Sequence, residues 1–230
     1  MIPVSFSPEQ TKLLERIEGA GVATQFLLAT NQGESIDEYL AHQKTALLVL
    51  KKIQADVDHY FDRLLKNKEY KDRCRSDFFQ VTIDESKLQG QRITLAEFMG
   101  RYYSVERNQI ALRGRTENHL NDYFWEGEEE LTANKIDIYQ EFRGLDLGYV
   151  YSFLEPPYAL RGTLQEKQAY FRDVERLLFE CFDPNATIFQ WNNESSSYFD
   201  AGKEWWGAYF YTYAMPNTNL VLGIAASETD

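Results

Sequence analysis

The stretch Tyr198 to Ala214, YFDAGKEWWGAYFYTYA, limits the possible folds more than any other part of the chain. It holds two of the four tryptophans and four of the fifteen tyrosines. It reads as a loop bearing Asp200, Gly202 and Glu204 that runs into a strand starting near Glu204. Side chains on a strand alternate between faces. Trp205, Gly207, Tyr209, Tyr211 and Tyr213 therefore share one face, and Trp206, Ala208, Phe210, Thr212 and Ala214 the other. Both faces are largely apolar, so this strand must be covered on both sides, and it is expected at the centre of the sheet in the C-terminal half.

The longest periodic run lies upstream. Ser35 with Glu38 forms a capping pair, and Ile36, Tyr39, Leu40, Ala46, Leu47, Leu50, Ile53, Val57, Tyr60, Phe61, Leu64 and Leu65 follow at three- and four-residue steps. That is the spacing of one face of a helix. One helix of about thirty residues, about 45 Å long, is the simplest account. The same capping signature recurs as Ser7 with Gln10, Thr94 with Glu97, and Thr163 with Glu166. In each pair the hydroxyl accepts from an early backbone N–H while the longer side chain reaches back.

Pro8 occupies a position where its missing N–H costs nothing, and Gly19-Ala20-Gly21 reads as a helix stop. A dinucleotide fingerprint would require a strand before those glycines and a third glycine after them. Val22 to Thr30 fits a short helix or a strand, Phe78 to Ile83 a short strand, and Thr116 to Phe124 a short helix. The cluster Lys66, Lys68, Lys71, Arg73 and Arg75 reads as a solvated helix end beside a negative dipole.

From residue 146 the pattern favours strands. Leu147 to Leu154 is a compact apolar run closed by Pro156 and Pro157. The Thr163 cap then opens a helix with Leu164, Phe171, Val174, Leu177, Leu178 and Cys181 along one side. Thr187 to Trp191, the central strand and Leu220 to Ala225 follow. The second half is expected in the order β-α-β-β-β, the last two strands joined at Pro216-Asn217-Thr218-Asn219. The fold class is α+β: a single domain over 1–230, helical over 1–145 and sheet-rich over 146–230, the sheet mostly antiparallel.

Net charge is −12. Residues 1–119 balance 17 cations against 17 carboxylates, whereas residues 120–230 hold 7 against 19, so the excess lies in the second half. Such a field opposes duplex nucleic acid and favours basic partners. Glu126, Glu128, Glu129 and Glu130 form an acidic knot beside Trp125 that reads as a solvated loop or a helix N-terminus in preference to the edge of an acidic binding face. Cys74 and Cys181 are too few for a disulfide framework and read as buried or half-buried thiols. The N-terminus lacks a secretory signal pattern and no apolar run reaches membrane-spanning length, so a cytoplasmic protein is expected.

Few constellations suggest chemistry. His42, His59 and His119 are dispersed, and the first two lie seventeen residues apart on the expected helix, so no metal site or cofactor is expected. Ser195, Ser196 and Ser197 lack a nucleophile elbow. Glu155-Pro156-Pro157-Tyr158 resembles, over four residues, the Asp-Pro-Pro-Tyr motif of amino-methyltransferases, with Glu where that family has Asp, Asn or Ser. The resemblance implies that Glu155 and Tyr158 would hold a target base. The accompanying glycine-rich cofactor loop is missing, and the residues themselves fit a proline-stiffened exit from a strand.

Asp200 and Glu204 beside Trp191, Tyr198, Trp205 and Trp206 remain. Two carboxylates on aromatic rings suit a carbohydrate-active enzyme or binder. A structural reading is at least as good: Gly202 permits the turn, Asp200 caps it through backbone N–H groups, and the tryptophans fill the core. The same residues also suit a recognition surface, with aromatic anchors ringed by carboxylates that meet a cationic protein. The favoured expectation is an acidic interaction protein of inhibitor or immunity type that binds a basic partner protein.

Overall fold

A computed structural model describes residues 1–67, 80–113, 123–125 and 146–228. The chain begins with β1 (Ile2–Val4), α1 (Pro8–Ala20), β2 (Gln25–Thr30) and α2 (Glu38–Leu65). It continues with β3 (Gly90–Ile93), α3 (Leu95–Met99), β4 (Tyr103–Ser104), β5 (Gln109–Arg113) and β6 (Tyr123–Trp125). The second half holds α4 (Gly148–Leu154), α5 (Leu164–Val174), β7 (Ile188–Trp191), α6 (Asp200–Trp205), β8 (Ala208–Ala214) and β9 (Leu220–Ser227). The α+β class is as expected.

These elements form two compact units. The first comprises Met1–Ser5, Gln25–Gln91 and Phe189–Asp230; the second comprises Phe6–Thr24 and Arg92–Ile188.

The first unit is built on a six-stranded sheet of order β1-β2-β9-β8-β7-β3. β1 with β2, β2 with β9, and β9 with β8 pair antiparallel. β8 sits between two neighbours and Tyr209 to Tyr213 are all buried, as its two apolar faces require. It starts later than expected. Asp200–Trp205 is a helix, not a loop leading into strand, and Gly207, at φ +135°, ends that turn before the extended run begins.

Helix α2 has 28 residues, about 42 Å, and packs on β2, β8 and β9. Its cap is Asp37, whose carboxylate accepts from the Leu40 N–H at 3.0 Å, in place of the expected Ser35. The buried stripe is Ala41, His42, Thr45, Ala46, Val49, Leu50, Ile53 and Phe61, while Tyr39, Leu40 and Tyr60 are exposed. Of the expected stripe, Ala46, Leu50, Ile53 and Phe61 are thus buried, and the middle of the helix lies close against the facing strand. A Cβ placed on Gly223 of β9 would lie 2.3 Å from Val49 Cγ2, where carbon contacts prefer about 3.5–4.0 Å. Leu27, Val49, Leu50, Ile53, Phe199 and Phe210 form the centre of this core. Of the expected strand Phe78 to Ile83, only an isolated bridge from Ile83 to Ser196 occurs among the described residues.

The second unit begins with α1, whose Ser7–Gln10 capping box is complete and whose stop at Gly21 is a Schellman turn. The Thr94–Glu97 and Thr163–Glu166 boxes also form, at the starts of α3 and α5. Val22 to Thr30 resolves as a strand from Gln25. Leu147 to Leu154 is a helix where a strand was expected. Helical spacing buries Tyr149, Val150, Phe153 and Leu154 together. α4 starts where Gly148 meets Gly100 so closely that a Cβ on Gly148 would lie 2.6 Å from the Gly100 Cα.

The core of this unit is aromatic. Tyr149 stacks on Phe98 at 4.9 Å and borders Phe153, Phe171 and Phe179. Its hydroxyl has no hydrogen-bond partner among the described residues. α5 continues into a π-helical turn over Glu175–Phe179, and Glu180 follows at φ +62°. Cys181 is exposed, not buried. β4, β5 and β6 form a small antiparallel sheet. Tyr123 and Phe124, expected to close a helix, therefore lie in a strand. The rest of that expected helix, His119, Cys74, the acidic knot at 126–130 and the basic cluster beyond Lys66 lie outside the described residues. Among the described residues no helix is long and apolar enough to cross a membrane.

Candidate functional site

The residues singled out by sequence divide into a buried set and an exposed set. Trp191, on β7, is 3 % exposed. Its Nε1–H donates to the Thr212 hydroxyl at 2.9 Å, and the same oxygen lies 2.7 Å from His42 Nδ1. One hydroxyl on β8 thereby joins β7 to α2. The indole is seated over β3 at Gly90, where any Cβ would come within 2.7 Å of the ring. Trp206 is 7 % exposed and packs edge-on to Tyr209 at 5.3 Å. The Tyr198 hydroxyl accepts the Ser227 N–H at 3.2 Å, and burial pushes its phenol well above the ordinary range. Neither tryptophan presents a ring face on which a sugar could stack, and Tyr198 is half-buried. Trp205 belongs to α6 by its backbone, and its side chain lies outside the described residues.

The exposed set gathers on α6 and the turn before it. Ser196 caps that turn by accepting the Tyr198 N–H. Gly202, expected in a loop, instead lets α6 lie against β9. A Cβ there would meet the Ser227 hydroxyl at 2.3 Å. Packing of this face leaves Asp200 and Glu204, one turn apart, exposed. Lys203 lies between them in sequence and bridges to Asp200 at 3.3 Å and to Glu194 at 3.2 Å. The lysine is thus held by two carboxylates, and Glu204 stands exposed one turn from Asp200. Asp200 and Glu194 keep 69 % and 67 % of their side-chain surface, so the pairs hold the lysine without sequestering the acids. Lys203 and Glu194 carried no sequence signal of their own. Their pairing depends on the turn that folds residues 192–199 back beside α6.

Glu155 and Tyr158 belong to the other unit. Glu155 follows a helix, Tyr158 is 65 % exposed, and Ala159 beside it adopts φ +63°. The strand exit on which the methyltransferase resemblance depended is absent. Among the described residues no group of three or more His, Cys, Asp or Glu side chains could hold a metal.

The folded units redistribute the charge. The first contains 11 basic and 16 acidic side chains and the second 13 and 20, giving −5 and −7. Asymmetry along the sequence is thus not asymmetry between units. The chain crosses from one unit to the other four times, so each draws on both halves. No protein-family model, curated protein or solved structure matches the chain.

Proposed function

We propose that the protein is an interaction protein of inhibitor or immunity type, working in the cytoplasm, whose acidic exterior engages a basic partner protein. The supporting observation is at α6, where exposed Glu194 and Asp200 pair with Lys203 and Glu204 stands exposed one turn from Asp200. A field of that sign speeds encounter with a cationic protein and depends on ionic strength. The recognition surface is polar, since Trp191 and Trp206 are committed to the interior.

The test is capture of a partner from lysate on immobilised protein, followed by association kinetics with the purified partner. The expected on-rate falls about tenfold or more between low salt and several hundred millimolar. Paired Asp200→Asn and Glu204→Gln substitutions should lower it several-fold at low salt. Absence of a basic partner, or an on-rate indifferent to salt and to both substitutions, would defeat the reading.

A further inference from the structure

Within the second unit, α1 and the end of α5 with its π turn border a groove of about 370 Å³. This lies in the range of small-ligand pockets, about 300–1,000 Å³. Nearly buried Leu13 and half-buried Leu177 supply its apolar lining. Its polar lining is charged: Lys12, Arg16 and Arg176 against Glu9 and Asp173.

The pairing within this set is uneven. Asp173 bridges to Arg16 and, at 3.5 Å, to Arg176, which also reaches Glu9 at 3.5 Å. Lys12 has no ion-pair partner among the described residues. Three cations against two carboxylates leave one uncompensated positive charge, in a unit whose total is −7.

The groove is also built. Gln10 donates through Nε2 to the Leu177 carbonyl at 2.7 Å while its Oε1 accepts the Ser7 N–H, so the helix cap and the groove wall share one amide. Arg176 and Leu177 both belong to the π turn, a distortion that costs helix stability and recurs at binding sites.

We propose that this groove binds a small amphiphilic monocarboxylate. Its anionic head takes up the charge left by Lys12 and shares Arg16 and Arg176 with Asp173, and its apolar body covers Leu13 and Leu177. A single negative charge closes the local balance. A dianion would leave an excess beside Glu9 and Asp173, and an uncharged chain would leave Lys12 uncompensated.

Sodium octanoate is the probe, titrated into the whole protein and followed by calorimetry and by amide NMR shifts. Saturable shifts are expected at Lys12, Leu13 and Leu177. Lys12→Gln, at an exposed position, should weaken binding about fivefold, whereas Asp173→Asn, which removes the competing carboxylate, should tighten it. Octanol should bind at least about fivefold more weakly. Failure of octanoate to saturate these shifts would overturn the proposal, as would equal binding by the Lys12→Gln variant or equal binding of octanol. Retained circular dichroism in both variants separates lost affinity from lost folding.

Discussion

The hydroxyl of Thr212 meets both Trp191 and His42 in the interior of the first unit, and Thr212→Val isolates it. The side chain is fully buried and valine matches its shape, so packing changes little. What disappears is the acceptor for the Trp191 Nε1–H and the contact with His42 Nδ1. A buried donor deprived of its partner costs about 1–3 kcal/mol, and the lost hydrogen bond to the histidine adds about 0.5–1.5 kcal/mol. The expected loss is therefore about 2–4 kcal/mol, a large part of an ordinary stability of about 5–15 kcal/mol. Tm should fall by on the order of 10 °C. Urea denaturation followed by circular dichroism and indole fluorescence measures it. Thr212→Ser is the control, because it keeps the oxygen and gives up only a methyl, at about 1 kcal/mol. If valine proved as stable as serine, or within about 0.5 kcal/mol of the parent, the bridge between α2 and the sheet would contribute nothing and the reasoning would fail.

Gly223→Ala should cost about 1–3 kcal/mol in the same assay, because its methyl overlaps Val49. In a Val49→Ala background most of that cost should vanish, and simple additivity would contradict the close-approach argument. Tyr149→Phe removes a hydroxyl with no described partner and should be neutral or stabilising by up to about 1 kcal/mol; a loss of that size would reveal a partner the hydroxyl needs. Hydrogen bonds from Thr163 hold the Glu166 carboxyl below the ordinary glutamate value of 4.5. Its contribution is thus present above about that pH and fades as pH falls through the lower folded value. The stability gap between the parent and Glu166→Gln should therefore shrink on acidification below 4.5, and a gap independent of pH would remove the carboxylate from the cap.

What proved legible in the sequence was short-range. Three capping boxes formed where Ser7, Thr94 and Thr163 placed them, since each involves only four consecutive residues. The fourth was displaced to Asp37, whose carboxylate lies closer to the helix and competes better than Ser35. The apolar run at 147–154 has Ser152 as its one small polar residue, too little to reveal its period, and only the aromatic core it meets selects a helix. Tryptophans beside carboxylates fit a core or a surface equally, because neighbours along the chain need not be neighbours in space. Trp191 turns instead towards Thr212, 21 residues away, and that hydroxyl towards His42, a further 170 residues from it. No local pattern announces such partners.

The fourfold crossing of the chain between its two compact bodies bears on how the molecule is made and how it can be cut. Emerging from the ribosome, the second body has all its segments once Ile188 is synthesised. The first must wait for β9, which enters between β2 and β8 and supplies hydrogen bonds to both. Until then two long strands stand without the partner that joins them. Neither body can be released intact by a single proteolytic nick or expressed as one uninterrupted fragment.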